Sequence, residues 1–264
     1  MKWFWKTLLK SHYFRKSIIT HILADYFREI GHSIQIKNGY WAQISNNDAY
    51  DSFSEIFIKN EYVDFLPNAT IKKVVDIGAH YGYFSLWLQS LNENITLESL
   101  MIEPCINCHH SIDELIRDKK LIGITQMIDG VIDDPKLGHA SFFDRPFMAS
   151  SSIKNSAEED VRRVQIITED DIINKMQPPY DLIKCDIEGS EWELLLHYPK
   201  ILSGARYLIL EWHSWHNGGG GKSQIERQLG SINFKILKQS NEQVAIGRTG
   251  KVGLLLAQNN NSAS

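Results

Sequence analysis

Cysteine is scarce: three residues, Cys105, Cys108 and Cys185, in 264. So low and odd a count excludes a disulfide-stapled scaffold and suits a reducing compartment, so a cytoplasmic address is expected. Long apolar runs are missing too, with nothing near the roughly 18 residues that span a bilayer. Excess positive charge is also absent. Lys and Arg number 28 against 32 Asp and Glu, a formal net charge of −4, so no bulk field gathers phosphates and no nucleic-acid partner is expected. What is abundant is apolar material, 43% of residues, enough for one large domain with an appendage.

The opening segment MKWFWKTLLKSHYFRK starts like a signal peptide, but Lys6 and Lys10 interrupt its apolar stretch, so it is read as retained. From Trp5 to Phe27, apolar residues recur at three- and four-residue spacing (Leu8, Leu9, Ile18, Ile22, Leu23), predicting one or two amphipathic helices that stop at Gly31. Bases outnumber acids there, a face suited to peripheral contact with an anionic membrane; packing on the main domain is the plainer account. Asn38-Gly39 predicts a hairpin within 32–45, followed by a short helix near 50–58. The expected organisation is an extension over 1–69, a main domain over 70–257 and a disordered tail over 258–264.

The main domain opens with a β-rich run, 71–77, then Gly78-Ala79-His80-Tyr81-Gly82, then the helical pattern YFSLWLQSL. A glycine turn at the carboxyl end of a parallel strand is where open α/β sheets bind nucleotides. His80 breaks the G-x-G-x-x-G spacing, and Gly221-Lys222-Ser223 lacks the first glycine of a phosphate loop, so that lookalike is assigned to a loop. The next strand ends at Glu103, about 20 positions past the turn, where doubly wound folds hold ribose hydroxyls with a carboxylate. A third strand, 121–128, ends at Asp129, which can meet an adenine amino group or merely solvate its loop. Cys105-Ile-Asn-Cys108-His109 has the haem-attachment pattern, but the favoured account is a helix start beside the pocket.

At 181–193, DLIKCDIEGSEWE sets Lys184, Asp186 and Glu188 on alternate positions, hence on one side of a strand. RYLILEWH ends likewise in Glu211 and His213. Charges at the tips of buried parallel strands carry a desolvation cost that a site explains better than a scaffold does.

The ordered segments VVDIGAHYGYFSLWL, MIEP, SSSI, ITEDDI, DLIKCDIEGSEWELL and LILEWH resemble the FkbM-type family of S-adenosylmethionine-dependent methyltransferases over about 70–213. The resemblance implies an α/β, Rossmann-like class I methyltransferase. Its seven-stranded, mostly parallel sheet would be flanked by helices, its last strand antiparallel, with FKILK, QVAIG and VGLLLAQ as closing strands. It also implies S-adenosylmethionine as cofactor and methylation of a hydroxyl on a glycan, glycolipid or secondary metabolite; an amine acceptor is the alternative, or a binding protein without catalysis. Asp76, Gly78, Gly82 and Glu103 match the cofactor positions, with His80 (where the family more often has Asn), Tyr81, Asp129 and Asp186 beside them. Lys184, Asp186, Glu188 and Gly189 match the signature element, and Glu211 and His213 its partner strand. His213 or Asp186 is expected to take the acceptor's proton, with Lys184 and Glu211 orienting it. No resident metal is expected, although these carboxylates with His213 have the donors for a divalent ion. Ser150, Ser151 and Ser152 in a polar loop, and Trp215 and His216 after the last tip, are candidate acceptor contacts.

Overall fold

The computed structural model describes residues 32–91, 94–117, 125–143, 161–214, 221–244 and 250–262. The expected helices of 3–30, the serine cluster and Trp215 with His216 lie outside them. Strands β1 (His32–Gln35) and β2 (Trp41–Ile44) form the expected antiparallel hairpin. Asn38 and Gly39, at φ 58° and 75°, make the turn, a conformation those two residue types tolerate best. Helix α1 (Asn47–Phe53) starts where the Asn46 side chain accepts from the Ala49 amide at 2.8 Å, and the chain coils on through Ser54–Ile58.

The main sheet contains β3 (Lys73–Ile77), β4 (Glu98–Ile102), β5 (Thr125–Ile128), β8 (Tyr180–Cys185), β9 (Ala205–His213), β10 (Phe234–Gln239) and β12 (Lys251–Asn259), with β11 (Gln243–Val244) paired to β12. Its spatial order is β10-β12-β9-β8-β3-β4-β5, and of these seven β12 alone runs opposite to the rest. This is the seven-stranded class I arrangement. A separate hairpin pairs β6 (His139–Phe143) with β7 (Val161–Gln165).

Period-two alternation assigns each strand's residues to two cores. Val74, Leu182, Ile209, Leu254 and Leu256 face the extension, α2 (Tyr83–Leu91) and α3 (Ile106–Arg117). Val75, Ile183, Leu208, Leu210 and Leu255 face α4 (Glu169–Lys175), α5 (Glu191–His197), α6 (Pro199–Ser203) and α7 (Lys222–Ser231). Each buried branched side chain contributes about 1.5–3 kcal/mol, and strands covered on both faces read as continuous apolar runs. The extension belongs to the first core, since Tyr40, Ile44, Tyr50 and Phe53 share it with Phe84 and Trp87.

Two expectations are corrected here. Lys222 and Ser223 open α7 and are not in a loop; Gly221 is its extended cap, and Ile225 and Leu229, one turn apart, bury its inner face. Residues 258–262 are not a disordered tail. Gln258 pairs with Tyr207 and Lys235, and the Asn259 side chain donates to the Ser203 carbonyl at 3.2 Å, so the strand continues to Asn259 and a short turn covers 260–262.

Candidate active site

Strand order reverses between β3 and β8: β4 and β5 lie to one side of them, β9 to the other. The carboxyl ends at such a reversal form the crevice where α/β sheets hold ligands. Gly78 follows β3 and Asp186 follows β8, side by side, with the Asp186 amide donating to the Ile77 carbonyl at 3.1 Å. Gly78 has φ 73°, and a Cβ there would stand 1.8 Å from the Asp186 carbonyl oxygen, so only glycine fits.

The turn is locked by its own backbone. Gly78 and Ala79 donate to the Ile102 carbonyl, and His80, at φ 54°, donates to Glu103 Oε2 at 2.7 Å. Glu103 Oε1 accepts from the Cys105 amide at 2.7 Å. Burial raises the Glu103 carboxyl to about 7 against the pull of those two amides. Burial, then the Lys184 charge, lowers His80 to about 3, so its ring is neutral; its Nε2 is buried without a protein partner. Asp76 lies wholly inside, accepting from Ser85 at 2.9 Å. The Tyr81 hydroxyl donates to Asn46 Oδ1 at 2.9 Å, and its ring lines a polar cleft of about 580 Å³ between the extension and α3. Asp129, at the β5 tip, faces the Arg162 guanidinium at 3.3 Å. Cys105, Cys108 and Glu103 bring donor atoms within 4.8 Å of one another at the start of α3.

Lys184 is 4% exposed and donates to the Gly78 carbonyl at 2.7 Å, with Asp76 at 3.6 Å and Asp186 at 3.8 Å. Burial alone would lower its pKa; Asp186 and then Asp76 outweigh that and keep it a cation. It thus faces the glycine turn. Asp186, Glu211 and His213 gather donor atoms within 4.8 Å of one another. His213 Nδ1 is 2.8 Å from Glu191 Oε1, and its Nε2 lies 3.7 Å from Glu211 and 3.9 Å from Glu188. Burial opposes the imidazolium, but Glu191, with Glu188 and Glu211, holds His213 up to about 10, so the ring is charged at neutral pH. Burial, then Asp186, pushes Glu211 well above the ordinary carboxylate range.

Sequence spacing predicts Glu188 in line with Lys184 and Asp186, but β8 ends at Cys185 and the chain turns, with Glu188 at φ 54° and Gly189 at φ 115°. Glu188 therefore reaches His213 from a turn. That turn is held by Glu191, whose Oε1 also accepts from the Ile187 and Gly189 amides at 3.2 and 3.0 Å. Glu191 carries no predicted role, although an acid in the first turn after Gly189 is the available signal. Tyr62 is missed as well: its hydroxyl donates to Asp186 Oδ2 at 3.3 Å from 124 residues away.

A model of the methyltransferase FkbM domain matches residues 76–249, from Asp76 through both clusters. The chain belongs to the FkbM methyltransferase family. It is therefore an S-adenosylmethionine-dependent methyltransferase. Comparison with curated proteins finds no match. Among solved structures, this FkbM chain is similar to a methyltransferase FkbM from Methylobacillus flagellatus KT, at 16% identity over 77% of this chain and 47% of that one, TM-score 0.47. Others are TrmK of M. capricolum, in complex with S-adenosylhomocysteine (13% identity, 77% and 68% covered, TM-score 0.44), and magnesium protoporphyrin IX methyltransferase from Synechocystis PCC 6803, also with that product (14%, 79% and 80%, 0.41). Among the described residues no helix is long and apolar enough to cross a membrane. The turn fits the family's cofactor: near the bare Gly78 backbone, His80 Nε2 is buried with no hydrogen-bond partner in the protein, and the Glu103 carboxylate has lone pairs beyond the two amides it accepts.

Proposed function

We propose that the protein methylates a hydroxyl oxygen of a glycan, glycolipid or secondary metabolite, and that the Asp186–Glu211–His213 cluster carries the proton chemistry. The observation behind this is the meeting of two carboxyl groups and a held imidazolium one strand away from the glycine turn. Glu103 accepts the ribose hydroxyls, while the Gly78–Gly82 turn with His80 and Tyr81 frames the amino-acid portion, and Asp129 takes the adenine edge.

S-adenosylmethionine supplies a methyl carbon already activated by a sulfonium. Much of the remaining work is alignment of the acceptor oxygen with the carbon–sulfur bond. A neutral alcohol must lose its proton as it attacks, and a carboxylate within about 3 Å can take it. As a lone pair of the acceptor oxygen bonds to the methyl carbon, the O–H proton would pass to the Asp186 carboxylate and the O–H pair return to oxygen, while the sulfonium would leave as a neutral thioether that keeps the C–S pair. His213, already protonated, is no base here. It is the fixed cation of the cluster and orients Glu211 at 3.7 Å, while the proton that burial keeps on Glu211 lets it stand beside Asp186. Asp186, the more open of the two, takes the proton, while Lys184 holds the turn.

The test is a panel of hydroxyl and amine acceptors with methyl-labelled cofactor, run on wild type, Glu103→Ala and Asp186→Asn. Label is expected on hydroxyl oxygen only. Glu103→Ala should weaken cofactor binding, and Asp186→Asn should cut the rate by at least about 100-fold with binding intact. Label on amines alone overturns the reading.

A further inference from the structure

Asp186 is held from outside the catalytic sheet. Its Oδ2 atom receives the Tyr62 hydroxyl at 3.3 Å and faces Lys184 Nζ at 3.8 Å. Tyr62 comes from the extension, 14 residues before the family match begins at residue 76, so no family motif accounts for it. It is firmly placed. Its ring is 5% exposed and packs edge-on against Phe84 of α2 at 5.1 Å between centroids. The turn it opens, Val63–Phe65, is tied on the other side by Lys238 of β10, which meets Asp64 at 3.6 Å and lies over the Phe65 ring at 5.5 Å.

A buried tyrosine hydroxyl requires a partner, and the packing here would be served as well by phenylalanine. The oxygen is thus the informative atom. We infer that Tyr62 is a positioning residue of the methyl-transfer site, its hydroxyl fixing Asp186 through Oδ2 so that Oδ1 addresses the acceptor. This rests on the role proposed for Asp186. Burial, followed by Asp186, Glu211, Glu61 and Glu55, holds the Tyr62 phenol well above its ordinary range, so it stays a donor. The Tyr62–Asp186 bond makes the extension one wall of the site.

The test compares wild type with Tyr62→Phe, which deletes one oxygen and keeps the ring. Carboxyl-carbon NMR at fixed pH, with the Asp186 resonance assigned through Asp186→Asn, follows the hydrogen bond to its Oδ2 atom without needing any acceptor. The other charges around Asp186, namely Lys184, Asp76, Glu211, His213, Glu55 and Glu61, are common to both proteins, so the difference reports on the hydroxyl. Expected is a moved Asp186 carboxyl-carbon resonance in Tyr62→Phe, and a roughly tenfold lower single-turnover rate on the best acceptor of the panel, with cofactor affinity unchanged. Tyr83→Phe, which removes the hydroxyl bonded to the Gln43 carbonyl, should change neither. An Asp186 resonance identical in both proteins overturns the inference directly. A moved resonance with transfer that survives Asp186→Asn overturns it by a different route, through the Asp186 role it rests on.

Discussion

The two sides of the crevice are built on opposite plans. Around Gly78 and Glu103, backbone amides do the holding: Glu103 accepts from the His80 amide of the turn and from the Cys105 amide, and the Ile102 carbonyl accepts from Gly78 and Ala79, all within the stretch from Gly78 to Cys105. Around Asp186 and His213, side chains from the extension, β8, α5 and β9 hold one another, and five acids (Asp76, Asp186, Glu188, Glu191 and Glu211) lie within 4 Å of the Lys184 ammonium or the His213 imidazolium. A backbone cradle tolerates little change of shape; a charged cluster tolerates little change of charge. The first suits a ligand of fixed form, the second a step in which a proton moves.

That contrast can be broken most violently at Gly78. Gly78→Ala combines a left-handed backbone with a Cβ 1.8 Å from the Asp186 carbonyl oxygen. It should cost more than about 4 kcal/mol and abolish cofactor binding, checked by denaturant unfolding and calorimetry. Intact binding would mean that the turn is not rigid.

On the charged side, Glu191→Gln should cost about 3 kcal/mol by stripping His213 of its closest counter-charge. The linked prediction concerns pH. His213 goes from an ordinary value of 6.5 to about 10 on folding, so its contribution is complete below pH 6.5 and is lost as pH rises toward and through 10. Unfolding free energy measured over that window should decline, and the slope should flatten in His213→Gln. A flat wild-type profile would show that the imidazole is neutral in the fold.

The mildest effect is expected at Glu103, because its carboxyl sits near 7. Its ionised form is the better acceptor for ribose hydroxyls, so cofactor affinity should rise severalfold from pH 6 to 8 and be level in Glu103→Gln. Calorimetric titration at both pH values decides it.

Legibility in the sequence follows the same divide. Strand, glycine turn, helix and Glu103 are local, and their spacing carried the fold and brought Glu103 to the turn. Period two placed Lys184, Glu211 and His213 on their strands, but it ran on past Cys185, where the left-handed Glu188 ends the alternation. Spacing also says nothing about whether a strand-tip lysine faces solvent or its own chain, as Lys184 does toward Gly78. Tyr62 was illegible for a plainer reason: its partner is 124 residues away, and a lone tyrosine after Asn60 and Glu61 has no periodicity to betray it.

The position of β12 has a bearing on biogenesis. It is made after β9 and β10 yet lies between them, with Leu254 to Ala257 buried. A nascent polypeptide halted before Lys251 must therefore leave the flank of β9 without a neighbour, offering a row of peptide groups to any other unfinished copy on the same message. Slow translation through 221–250 should make this protein depend on chaperones, and a peptide of residues 251–259 supplied in trans should relieve that dependence.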